Sequence, residues 1–279
     1  MFKGFKLKLN EAVFLSSNGE YSNLLREKKD RIVDKFNEVL LSNGKIDADK
    51  IIDEWFPAGE YHVFISHSHK DRELAEKFAN WLYDKFRLTS FLDSHVWGYA
   101  NNLLKELNEK YASNGGDGYV YESAISNAAH VYLMLSTALT EAIDKSECLF
   151  FINTENTLEN MKIEGGHEES RTASPWIMHE LKMSAMIRRH LSADRKEQTT
   201  KGLWFEELKE NASFSFSVPT EHLFKIDIDS LSTWLNDCGL DFNRRTFAEL
   251  YQNIGNQKKE FDALDSLYAI VEDNKDGSE

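Results

Sequence analysis

The sequence predicts an α/β protein built on a central parallel sheet, and three stretches carry that expectation. Tyr61-His-Val-Phe-Ile-Ser66 is short, rich in strand-favouring residues, and runs straight into a polar segment. A helical stripe of Leu74, Phe78, Trp81, Leu82 and Phe86 follows, and then a second strand over Leu88–Leu92. Strand, helix and strand within about 30 residues form a βαβ unit, whose strands run parallel. Cys148-Leu-Phe-Phe-Ile152 is apolar throughout, as a strand covered on both faces must be.

Composition narrows the function classes. The chain has 279 residues, 41% of them apolar and 12% aromatic, which is ample for a packed core. A net charge of -14 argues against a general nucleic-acid binder and against a basic membrane-surface protein. Two cysteines, Cys148 and Cys238, cannot build a disulfide framework. Met1 to Asn10 lacks the apolar core of a signal peptide, and no run reaches the roughly 18 apolar residues of a membrane span. A cytoplasmic location is therefore expected.

In chain order, residues 1–59 read as an N-terminal extension. Phe5, Leu7 and Leu9 alternate with lysines as a short strand or arm. A helix is expected over Tyr21–Leu41 and a shorter one over Ala48–Trp55, before a boundary at Pro57-Ala-Gly59. After the first strand, Ser68-His-Lys-Asp71 has the spacing of a capping box. The second strand ends at Asp93-Ser94. Val96–Tyr121 reads as loop around a helix over Leu103–Tyr111, and Asn114-Gly-Gly-Asp-Gly118 as a turn cluster that matches no phosphate-binding fingerprint. A long helix runs from about Glu122 to Lys145, with Ile125, Ala129, Tyr132, Leu139 and Ile143 on one face. Asn153–Ala173 reads as a polar, acidic loop. Ser174 then caps a helix that starts at Pro175 and carries Trp176 and Glu180 one turn apart on one face. Farther on, Leu203-Trp-Phe and Phe214–Val218 are apolar patches, and His222–Asp229 alternates as a late strand. Helices are expected over Leu231–Leu235, Phe247–Ile254 and Phe261–Val271, before a disordered acidic end.

The stretch from Tyr61 to Asp71 resembles the first conserved box of Toll/interleukin-1 receptor (TIR) domains, the bacterial ones above all. Cys148–Ile152 followed by Ser174-Pro-Trp-Ile-Met-His-Glu-Leu181 resembles the third strand and following helix of the enzymatic branch, in which a Trp precedes a catalytic Glu by four residues. The resemblance spans residues 60–190 and extends to 230 if His222–Asp229 is a strand. It departs from the compact family pattern in the longer Val96–Tyr121 region and in both ends. It implies a flavodoxin-like TIR domain over 60–230, an N-terminal helical extension over 1–59 and a C-terminal helical extension over 231–279. It also implies cleavage of NAD at the nicotinamide–ribose bond, giving ADP-ribose or a cyclic product, in bacterial anti-phage defence of the Thoeris type. NAD is then a substrate rather than a cofactor. TIR–TIR self-association and a separate effector or activator protein are the implied partners, with no nucleic acid and no membrane.

The residues fit that chemistry. Nicotinamide leaves readily and the ribose becomes cation-like, so a nearby carboxylate stabilises the developing charge. Glu180 is the candidate catalytic residue. Trp176 is placed to stack on nicotinamide or ribose, and Ser66, His67, Ser68 and Asp93 stand at strand ends where ligands bind in parallel sheets. His67 and His69 have too few convergent partners for a metal site, and no nucleophile elbow supports a serine hydrolase. Two other classes remain: a non-catalytic TIR scaffold, and a deoxyribosyltransferase-like N-glycosidase. The Trp176/Glu180 pair favours an enzyme over the scaffold, and the His67-rich first loop favours TIR over the transferase.

Overall fold

A computed structural model describes residues 3–9, 19–24, 46–55, 61–116, 118–162, 168–187, 215–238 and 258–276. The part of the Tyr21–Leu41 helix beyond residue 24, the helix expected over 247–254 and the patch at 203–205 lie outside the described residues.

Five parallel strands make the central sheet. They are β1 (Lys3–Leu7), β2 (Val63–Ser66), β3 (Ser90–Leu92), β4 (Cys148–Ile152) and β8 (Phe224–Ile226), in the order β3-β2-β4-β1-β8. If β2 is counted first, this is the flavodoxin-like order, with the N-terminal strand in the fourth place. Lys3–Leu7, assigned from sequence to the extension, is thus an inner strand, in register with Cys148–Ile152 on one side and Phe224–Ile226 on the other. A Cβ at Gly4 would lie 2.5 Å from the end of the Leu223 side chain, which would have to shift to admit it.

Side-chain alternation splits the core between the two faces. Val63, Ile65, Phe150, Phe5 and Leu7 point to the face covered by α2 (Arg72–Phe86), α6 (Ile228–Asp237) and α7 (Lys258–Asp276). Phe64, Phe91, Leu149 and Phe151 point to the face covered by α1 (Ala48–Trp55), α3 (Asp93–Tyr111), α4 (Tyr121–Lys145) and α5 (Pro175–Met186). Leu264 and Leu267 of α7 are fully buried, so the C-terminal helix is part of the first layer; it runs on to Asp276, through part of the segment expected to be disordered.

Several local expectations change. Asp93 opens α3 directly, without a loop after β3. The expected loop Asn153–Ala173 contains β5 (Glu159–Lys162) and β6 (Glu168–Thr172), which pair antiparallel and join β7 (Phe216–Ser217) in a small second sheet. The late strand is confined to Phe224–Ile226, because Asp227 caps α6 by accepting from the Ser230 N–H at 3.0 Å. The buried stripe of α4 is Val131, Met134, Leu135, Ala138, Leu139, Ala142 and Ile143, and Tyr132 stays exposed. Residues 20–24 are helical and dock on α2 and β3. Asn80 donates to Ser22 Oγ at 2.6 Å, while the Tyr21 hydroxyl donates to the Ser90 carbonyl at 2.6 Å and accepts from the Ser90 N–H at 2.7 Å. Among the described residues no helix is long and apolar enough to cross a membrane.

Candidate functional site

The chain reverses direction across the sheet between β2 and β4, since β3 lies on one side of β2 and β4 on the other. In open parallel sheets the carboxyl ends of such a strand pair form the ligand crevice. Ser66 ends β2 there. Alternation puts it on the same face as Phe64, which is the face covered by α5. That helix starts where the sequence requires, with Pro175 in its first turn and the Ser174 side chain accepting from the Ile177 N–H at 3.3 Å. Its second turn delivers Glu180 to the strand end. The Ser66 hydroxyl donates to Glu180 Oε2 at 2.6 Å, and both side chains are fully buried. Residues 114 positions apart in sequence thus meet at the crevice.

His67 follows on the same strand end and is also fully buried. Its Nδ1 lies 3.3 Å from the Ile65 carbonyl, which can only accept, so the proton sits on Nδ1. Burial lowers the His67 pKa below its usual value, while the Ile65 carbonyl and the charges of Glu180 and Asp71 pull the other way. Ser68 caps the short 3-10 turn His69–Asp71, accepting from the Lys70 N–H at 3.4 Å. The capping box therefore does not form as expected. Asp71 instead reaches across to the loop after β4, where Thr154 donates to Oδ2 at 2.5 Å and Asn156 donates to Oδ1 at 2.7 Å. That loop is itself tight: the Asn153 N–H bonds the Leu7 carbonyl at 2.8 Å, and the Thr157 hydroxyl accepts from the Thr154 N–H at 2.9 Å. Thr154 and Asn156 were not singled out from sequence, and Asp71 was read as part of a capping box rather than as a partner of that loop. The signal available was their position, just past the carboxyl ends of two strands that the sequence does reveal.

The other expected site residues are distributed around this centre. Trp176 is half-buried one turn before Glu180, with its ring centroid 5.9 Å from that of Tyr132 on α4 and tilted by 58°. Asp93 stands at the start of α3, at the end of β3, and its side chain lies outside the described residues. His69 is exposed while its neighbour His67 is buried, so the two do not converge. His179 faces α4, with Nε2 3.1 Å from Thr140 Oγ1 and 3.3 Å from Ser136 Oγ, and burial lowers its pKa. It joins two helices and does not contribute to the Ser66–Glu180 contact.

A carboxyl group and a hydroxyl in contact at a buried strand end, with an imidazole on the next residue, can hold sugar hydroxyls and oppose positive charge on a ribose ring. No family model, curated protein or solved structure matches this chain.

Proposed function

We propose that the protein is a TIR-type enzyme that breaks the nicotinamide–ribose bond of NAD. The single observation that supports this most is the Ser66–Glu180 contact at the switch point between β2 and β4. The Trp-x-x-x-Glu spacing, the first-strand box and the flavodoxin-like sheet were all expected from the same resemblance, and this contact brings the first two together.

In the proposed reaction the C1′–N bond breaks and its electron pair leaves with neutral nicotinamide, which needs no protonation. Glu180 opposes the charge left on the ribose and holds its hydroxyls, and Ser66 keeps that carboxyl group in place. Water then adds to C1′ and loses a proton, giving ADP-ribose. Attack by a nucleophile of the same dinucleotide in place of water gives a cyclic product. The resemblance further supports a role in bacterial anti-phage signalling in the cytoplasm, with self-association of TIR units and a separate effector protein as partners.

Incubation of the purified protein with NAD, with products separated by chromatography and mass, tests the reading. Nicotinamide release is expected from the wild type and its loss from Glu180→Gln, which keeps the size of the side chain and an oxygen for Ser66. Unchanged turnover in a folded Glu180→Gln protein rejects Glu180 as the catalytic residue. No turnover by the wild type at high protein concentration favours the scaffold class.

A further inference from the structure

The lysines of the first strand part to the two faces of the sheet. Lys3 falls on the side of Phe5 and Leu7, where Glu272 and the Tyr268 ring take it up. Lys6 falls on the other side. Ser66, Phe151, Lys6 and Lys225 stand in one row across β2, β4, β1 and β8, so alternation turns all four toward the same face. Lys6 and Lys225 are direct neighbours in that row, with Cα atoms about 5 Å apart. The pattern continues past β1. The Lys8 N–H bonds the Ile226 carbonyl at 3.0 Å, and Leu9 joins the core of Phe5 and Leu7, which leaves Lys8 on the Lys6 side. Lys8 and Lys225 are exposed and Lys6 is half-buried.

Like charges side by side repel. Burial lowers the Lys6 pKa and repulsion from Lys225 adds to this, while the Glu221 carboxylate pulls the other way more weakly. Asp227, next on that face after Lys225, is committed to capping α6 through the Ser230 N–H. Among the described residues none of the three lysines forms an ion pair. Three ammonium groups are therefore held together at strand carboxyl ends in a chain whose net charge is -14. An anion set between them turns repulsion into attraction and breaks no ion pair among the described residues. Phosphate suits the place, because lysine binds it as a point charge and its oxygens accept from several ammonium groups at once. We infer that Lys6, Lys8 and Lys225 form a binding site for a phosphate or diphosphate group at the carboxyl ends of β1 and β8. The site needs only the strand register and these side chains, and it stands whether or not NAD is cleaved. The group has two possible sources. Lys6 is two strands, about 10 Å, from Ser66, which is within the length of a dinucleotide held at Glu180. The other source is a separate phosphate-bearing effector.

Inorganic pyrophosphate titrated into the full-length protein at low ionic strength, read by calorimetry, tests the site, with circular dichroism as the check on folding. Binding is expected, and Lys6→Gln and Lys225→Gln should each weaken it about tenfold, the worth of one charge-assisted contact. Lys105→Gln removes an exposed charge on α3 and should leave the affinity unchanged. Lys225 is exposed, so its substitution tests the site even if Lys6→Gln does not fold. No pyrophosphate binding at millimolar concentration overturns the site. Equal weakening by Lys105→Gln also overturns it, because net charge alone would then account for the binding. NAD titrated into Glu180→Gln, with and without Lys225→Gln, identifies the source. A loss of about tenfold in NAD affinity assigns the group to the substrate. Unchanged or absent NAD binding, with pyrophosphate still bound, assigns it to a separate effector. Nicotinamide release by the wild type is measured apart from these titrations, so failure of the cleavage reading leaves the pyrophosphate result in force.

Discussion

Ser66→Ala isolates the contact on which the site is built. The hydroxyl is fully buried and donates to a fully buried carboxyl group at 2.6 Å, so its removal leaves an acceptor without that donor and without water to replace it. A lost donor of this kind costs about 1–3 kcal/mol. For a chain of 279 residues, about 2 kcal/mol corresponds to a fall in Tm of roughly 3 °C. A single substitution could produce that fall through packing alone, so the informative quantity is the coupling with Glu180. Urea unfolding of wild type, Ser66→Ala, Glu180→Ala and the double variant closes a cycle. The two residues share one bond, so removal of the second partner should cost about 1 kcal/mol or more less once the first is gone. Additive losses, with coupling below about 0.5 kcal/mol, would show that the hydroxyl and the carboxyl group do not act on each other, and the catalytic assignment would lose its support.

Two further outcomes follow from groups beside this contact. Asp71→Ala removes the acceptor shared by Thr154 and Asn156 and should destabilise the protein by about 2–3 kcal/mol, read from the urea midpoint. It should also speed hydrogen exchange in the loop after β4; unchanged exchange there would mean that Asp71 does not hold that loop. Burial lowers His67 and His179 below the usual 6.5, so over the window beneath that value the unfolded chain binds more protons than the folded one. Stability is therefore complete above a pH of about 6.5 and declines as the pH falls from there toward the folded values. His67→Asn should reduce the difference in urea midpoint between pH of about 7.5 and about 5.5, and an undiminished difference would remove His67 from that account.

The strands and helices that frame the crevice were legible because their signals are local. Cys148–Ile152 is apolar throughout, and Ser174-Pro175 starts α5 by capping chemistry alone. What escaped depends on distant partners. Alternating lysines made β1 look like a half-exposed arm, yet Lys3 is buried, pairs with Glu272 and lies 4.8 Å from the Tyr268 ring centroid, all on the far C-terminal helix. Asp71 looked like half of a capping box, and its carboxylate instead crosses to Thr154 and Asn156, more than 80 residues away. The stripe proposed for α4 included Ile125 and Tyr132 because periodicity does not reveal where a helix outruns its sheet. The antiparallel pair β5–β6 holds a single apolar residue, Met161, which leaves no apolar alternation to read. The meeting of Ser66 and Glu180 was only half legible: both residues were marked, and the topology was needed to join them.

Tyr21 bears on how copies of this chain could assemble. The Val63 N–H takes the Thr89 carbonyl, so in this parallel ladder both backbone groups of Ser90 point out from the flank of the sheet. One phenol occupies both, and burial pushes its pKa up, so it keeps its proton and remains a donor across the physiological range. A foreign strand arriving at β3 would have to evict that hydroxyl before forming its first rung. Filament growth by sheet extension is blocked on this side, and contacts between copies are left to the helical surfaces or to the flank beyond β8.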